Sequence, residues 1–125
     1  MKSSLDENKP IFLQIKEQIE DSIINETIKT AERIPSTNEF AAYYKINPAT
    51  AAKGINELVM ENILIKQRGV GMFVTDNAKE ILINKRKKIF YKNYMDPLKK
   101  EATKLGISNM DLIEMVKMEG IEDEN

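Results

Sequence analysis

The 125-residue sequence predicts a mainly α-helical chain with a small β-hairpin: a winged helix-turn-helix domain followed by a C-terminal helical dimerisation appendage. Three observations carry that reading. Apolar residues recur at helical spacing through most of the chain. Two helix starts are spelled out in side chains, at Ser36 and at Asn47. One stretch, ILIKQRGVGMFVT, abandons the helical period for β-branched and aromatic residues around a glycine turn.

Residues 1–9 are expected to be a flexible lead-in. Pro10, which has no N–H to lose, opens a first helix whose stripe is Ile11, Phe12, Ile15, Ile19, Ile23 and Ile24, ending near Asn25. Ile28 and Ile34 then tuck the connector against the core. The residue before Pro35 must be extended, and Ser36 begins S-T-N-E, a capping box in which Ser36 and Glu39 serve each other's amides. The helix it starts, over 37–44, carries Phe40, Ala41 and Tyr44 inward. Asn47 caps a third helix with Pro48 in its first position; Ala51, Ile55, Leu58 and Val59 form its buried stripe, to about Asn62. Strands over 64–67 and 72–75 flank the turn Arg68-Gly69-Val70-Gly71.

From about Asn77 the helical period returns, with Ala78, Leu82, Ile89, Phe90, Tyr94, Leu98, Ala102 and Leu105 on one face. Pro97 interrupts it. A proline there removes one ladder bond and crowds the carbonyl of Asn93, so a kink or break is expected. Gly106 ends this helix, and Ser108 with Asp111 starts a last one, from Asn109 to about Glu119. The boundaries are therefore 10–76 for the winged helix-turn-helix, 77–119 for the helical region, and 120–125 for an acidic tail.

Composition narrows the function. With no cysteine and no histidine, thiolate chemistry, imidazole catalysis and the commonest metal ligands are gone, so no enzyme, cofactor or metal is expected. No run of 18 apolar residues and no signal core are present, which gives no membrane segment and a cytoplasmic expectation. The net charge of −1 means that any nucleic-acid contact must rest on local positive charge.

Four segments, in this order and spacing, sharpen the reading: P-I-F-L-Q-I at 10–15, I-P-S-T-N-E-F-A at 34–41, I-N-P-A-T at 46–50 and R-G-V-G-M-F-V at 68–74. Together they resemble the N-terminal domain of GntR-type transcriptional regulators. The short remainder, with L-G-I-S-N-M-D-L-I at 105–113, is similar to the two-helix appendage of the YtrA-like subfamily. The resemblance implies a homodimer on double-stranded operator DNA, a repressor, and transporter genes as targets. Residue by residue it places Ser36 on a phosphate, Thr50 and Lys53 at contact positions of the recognition helix, and Arg68, Gly69 and Gly71 in the wing. Asn38, Pro48 and Ala52 stand where the family often has arginine, and Val70 where the wing tip is often polar or basic.

Each feature also has a plainer account. The third helix is either a reader, with Asn47 at its start and Ala49, Thr50 and Lys53 facing bases, or an alanine-rich packing helix. The glycines of the turn serve a hairpin whether or not it meets a minor groove. Lys85-Arg86-Lys87-Lys88 reads as a solvated face, with phosphate attraction as the second account. Leu82, Ile89, Phe90, Tyr94, Leu98, Leu112 and Ile113 are expected to form a dimer seam, because two helices cannot bury their own stripe. A small-molecule effector in that seam stays open, with no ligand named. The alternative to a regulator is a winged-helix protein-interaction module with weakened DNA binding.

Overall fold

The computed structural model describes residues 5–120. They form helices α1 (Ile11–Ile24), α2 (Thr37–Tyr44) and α3 (Pro48–Met60), a hairpin of β1 (Leu64–Gln67) and β2 (Gly71–Val74), then α4 (Ala78–Phe90), a π-turn (Tyr91–Met95), α5 (Asp96–Lys104) and α6 (Asn109–Lys117). The chain divides into two compact units, one ending at Lys85 and one beginning at Arg86. No helix of the described residues is long and apolar enough to cross a membrane.

The first unit is built around the stripes that the sequence marks. Ile15, Ile19 and Ile23 of α1, Phe40, Ala41 and Tyr44 of α2, and Ala51, Ile55 and Leu58 of α3 share one core with Ile34, Ile63, Leu64 and Val74. Each of the larger side chains contributes about 1.5–3 kcal/mol on leaving water. Ala78 and Leu82 of α4 belong to the same core. Leu82 is fully buried there, which corrects its place in the expected dimer seam: helical period put it on the same stripe as Ile89, but the core of the first unit covers it.

Lead-in residues 5–9, expected to be loose, are tied to α1. Leu5 packs on the core, and the Gln14 side chain takes the Asp6 amide and donates to the carbonyls of Asp6 and Lys9. Residues 1–4 of that lead-in and 121–125 of the acidic tail lie outside the described residues.

α1 and α3 touch at their backbones. A Cβ built on Gly54 would lie 2.5 Å from the Phe12 carbonyl oxygen, so the residue here has no side chain because the space is already filled by α1. Near this crossing, buried and half-buried charges clamp three helices. Lys16 of α1 stands 2.7 Å from Glu61 and 3.4 Å from Glu57, and Lys85 of α4 stands 2.7 Å from Glu20 and 3.0 Å from Glu61. Burial works against the charge on Glu61, but the Lys16 and Lys85 ammonium groups outweigh it and hold the carboxyl below its ordinary range. Burial likewise works against the Lys85 charge, and Glu20 and Glu61 reverse the sign and raise it. Lys85 is thus a half-buried cation engaged by Glu20 and Glu61, which sets it apart from the solvated or phosphate-facing run that the sequence suggests.

The hairpin pairs Leu64 with Val74, Ile65 with Phe73, Lys66 with Met72 and Gln67 with Gly71. β2 begins at Gly71 and ends at Val74, one residue earlier than the spacing predicts at each end, because the Thr75 hydroxyl and amide turn to the carbonyls of Asn62 and Ile63.

In the second unit, the disturbance expected from Pro97 takes the form of the π-turn: the Asp96 N–H reaches the Tyr91 carbonyl, five residues back. The wider ring makes room beside Asn93, where the proline ring would crowd an α-helix. Gly106, at φ 71°, closes α5 with the Ile107 amide on the Ala102 carbonyl at 2.9 Å and the Gly106 amide on Thr103. Ser108 and Asp111 form a capping box at α6.

Candidate nucleic-acid interface

Four local devices set the candidate surface in place. The Glu39 amide donates to Ser36 Oγ at 3.1 Å and the Ser36 amide to Glu39 Oε1 at 3.3 Å, so the α2 start is fixed and the Ser36 hydroxyl proton stays free to donate outward. Asn38, in the first turn of α2, is exposed. Lys45 takes a left-handed conformation, φ 56°, and ends α2 sharply, and the Ile46 amide closes back on the Ala41 carbonyl at 3.0 Å. Asn47 then caps α3, its Oδ1 accepting the Ala49 amide at 2.8 Å.

That cap changes the expected use of the helix start. Pro48 has no amide, Ala49 is held by the Asn47 side chain, and Thr50 and Ala51 both donate to the Asn47 carbonyl, at 3.0 and 3.3 Å. Amides of the first turn are therefore occupied; what the end offers an anion is the dipole and the Asn47 side-chain NH2.

The outward stripe of α3 is Ala49, Lys53, Asn56 and Met60, all exposed, with Thr50 half-buried at its edge. Lys53, its one charge, rests its ammonium 4.0 Å from the centroid of the Phe12 ring. Cation–π contact at an exposed site is worth about 0.5–1 kcal/mol, small enough for the side chain to leave for a stronger partner. The Phe12 ring thus parks Lys53 at the rim of the stripe.

The hairpin turn is closed by the Val70 amide on the Gln67 carbonyl at 2.9 Å, with Gly69 at φ 77°. That φ is the one a side chain resists, which explains the glycine. Val70 and Arg68 project at the tip, both exposed. The structure brings the α2 start, the α3 stripe and the wing together in one unit.

Sequence reasoning missed Arg33, which pairs with Phe73 as a third, single-bridge strand. Its side chain passes over Gly71, whose absent Cβ would lie 2.7 Å from Arg33 Nε. The signal was in the sequence, an arginine one residue before the Ile34–Pro35 turn, but its neighbour across the sheet was not.

Helix, helix, turn, helix and hairpin in this order define a winged helix-turn-helix, the class of domain that presents its third helix and wing to DNA. Comparison with known proteins gives the family. Residues 12–74 match the family model "Bacterial regulatory proteins, gntR family". The repressor YtrA of Bacillus subtilis is 31% identical over 86% of this chain and 82% of its own length. A solved GntR family transcriptional regulator from Listeria monocytogenes superposes with a TM-score of 0.73 at 30% identity, covering 90% of this chain and 97% of that one. The structure of AraR(DBD) in complex with operator ORX1 matches with a TM-score of 0.52 at 30% identity, over 60% of this chain and 92% of that one. The chain belongs to the GntR family of bacterial regulatory proteins, as a transcriptional regulator of the YtrA-like type with a winged helix-turn-helix DNA-binding domain.

Proposed function

We propose that the protein is a cytoplasmic, non-enzymatic, homodimeric repressor that sets α3 in a major groove and the wing on the adjacent minor groove of a palindromic operator. The observation that carries this is the convergence of the Ser36 cap, the Ala49–Lys53 face and the glycine wing in one unit. Ser36, Asn38, Asn47 and Arg68 position phosphates; Ala49, Thr50 and Lys53 read bases; Gly69, Val70 and Gly71 let the wing approach closely. YtrA is named a transcriptional repressor, and AraR(DBD) was solved on an operator; these support repression and operator binding here. Half-sites would lie about one helical turn apart, about 10 base pairs. Transporter genes are the targets that the YtrA-like type suggests.

The dimer seam in this reading is Ile89, Phe90, Tyr94 and Leu98 with Leu112 and Ile113. Phe90 and Tyr94 rings stand 5.3 Å apart, yet both are exposed. Among the described residues of the second unit only Ala102 is buried, so this unit has no core of its own and a twin supplies one. An effector, if the regulator uses one, would bind at that seam.

The test is a titration of duplex from the protein's own promoter at several salt concentrations. Specific binding is expected, with log affinity falling linearly in log salt by about 0.9 for each phosphate neutralised. Thr50→Val with Lys53→Ala should abolish the preference for the operator. Truncation after Lys85, which keeps Ala78 and Leu82 in the core, should give a monomer by light scattering with weaker binding. Weak, non-specific binding even at low salt would turn the reading to a protein-interaction module, an alternative that the single parked charge on α3 favours. A truncated chain still dimeric would remove the seam.

A further inference from the structure

We infer that Arg33 is a further DNA contact of this protein, a phosphate-binding residue at the root of the wing that Gly71 seats; the inference rests on the DNA-binding reading above. The backbone fixes where Arg33 starts. Residues 31–34 run along the outer edge of β2, with the Ala31 amide on the Val74 carbonyl at 2.9 Å, the Val74 amide on Glu32 at 3.0 Å and the Ile34 amide on Met72 at 2.9 Å. Arg33 stands opposite Phe73, and Phe73 opposite Ile65. Residues paired across antiparallel strands share a face. Since Leu64 and Val74 hold the core face, Arg33 emerges on the open one.

Gly71 fixes where the side chain goes. It lies two residues before Phe73, on the same face and at the wing turn, and a Cβ there would lie 2.7 Å from Arg33 Nε and 3.3 Å from Cδ. The guanidinium therefore runs along the sheet toward the wing through space that only a glycine leaves. Among the described residues it has no hydrogen bond or ion pair, so its donors are open to an external anion. Its backbone leads through Ile34 and Pro35 into the Ser36 cap. One cation is thus held by covalent chain to the α2 start and by packing to the wing, the two places where the duplex backbone is expected.

The chemistry of the site asks for such a group. Asn38, Pro48 and Ala52 bring no charge, and Lys53 is the one cation on the α3 stripe. A guanidinium offers a planar fork that matches phosphate oxygens in pairs, with the charge that Asn38 lacks.

The experiment measures operator affinity and its salt dependence for the full-length wild type, Arg33→Ala and Arg33→Lys, with an unrelated duplex alongside and thermal melts as a check on folding. Arg33→Ala should weaken binding to both duplexes by a similar factor, about tenfold or more at low salt, and reduce the salt slope by about one for each protomer. Arg33→Lys should restore the slope but only part of the affinity, because a point charge replaces a fork. Wild-type affinity and slope in Arg33→Ala would overturn the inference while leaving the DNA-binding reading intact. So would a loss of affinity at unchanged slope with a lowered melting temperature, which marks a packing residue. No salt-dependent binding by the wild type would instead overturn the DNA-binding reading, and the inference with it.

Discussion

Replacing Gly54 by alanine should destabilise the protein, although every helix scale says the opposite. Glycine inside a helix costs about 1 kcal/mol relative to alanine, so propensity alone predicts a gain of that size. The added methyl, however, would lie 2.5 Å from the Phe12 carbonyl oxygen, about 1 Å inside an ordinary contact. A backbone carbonyl within α1 cannot swing aside as a side-chain tip can. The two helices must part by most of that ångström, which loosens Ile15 and Ile19 against Ile55, and overpacking of this kind costs about 1–3 kcal/mol. After the propensity gain is subtracted, the net loss is up to about 2 kcal/mol, a fall in melting temperature of up to roughly 8–16 °C for a unit of this size. Thermal melts followed by far-UV circular dichroism measure it. Ala52→Gly, in the same helix, calibrates the propensity term and should lose about 1 kcal/mol at most. Propensity gives the two variants opposite signs; the close approach makes both destabilising. A Gly54→Ala protein that melts above wild type, by the several degrees that propensity alone predicts, would refute the argument.

Two further changes act on stability. Glu61 is held below its ordinary pKa, so its contribution is complete above the ordinary carboxylate range and is lost as pH falls through the depressed value; Lys85, held above its own, contributes until pH rises through the raised value. Glu61→Gln should cost about 1–2 kcal/mol at neutral pH, less than a fully buried pair because about a third of each side chain meets water, and the cost should shrink as pH falls below the ordinary carboxylate range. Urea midpoints across pH check this, and an equal difference at both ends would show that the carboxylate charge is irrelevant. Ala31 sits at φ 68°, where a methyl costs about 1–2 kcal/mol; Ala31→Gly should recover about 0.5–1 kcal/mol after its own entropy cost. No rise in melting temperature would count against strain there.

What could be read in advance was what depends on neighbours in the chain. The Ser36 box and Asn47 cap fixed the starts of α2 and α3, since capping is a matter of three or four residues. Pro97 announced a disturbance at Asn93, although not that five residues would widen into a π-turn. What escaped depends on partners distant in sequence. Periodicity put Leu82 and Ile89 on one stripe without saying which surface covers each. Lys85 looked like one more member of a basic run, because its carboxylate Glu20 is 65 positions away. Gly54 is an unremarked small residue until the helix opposite is known to be α1. On the candidate surface, the cap at Asn47 was legible, but its consumption of the first-turn amides was not.

The nearly uncharged stripe of α3 bears on how such a reader would fare on a chromosome. Non-specific attachment is almost wholly a matter of phosphate neutralisation, and a genome offers about a million or more competing sites of that kind. A face of Ala49, Thr50, Asn56 and Met60 with one parked lysine adds little to the hold that Arg33 and Arg68 give those decoys. Fewer copies of the protein would be sequestered along the way, and occupancy of the operator would change less as intracellular potassium rises and falls. Discrimination would come from poor binding everywhere else as much as from tight binding at the right place.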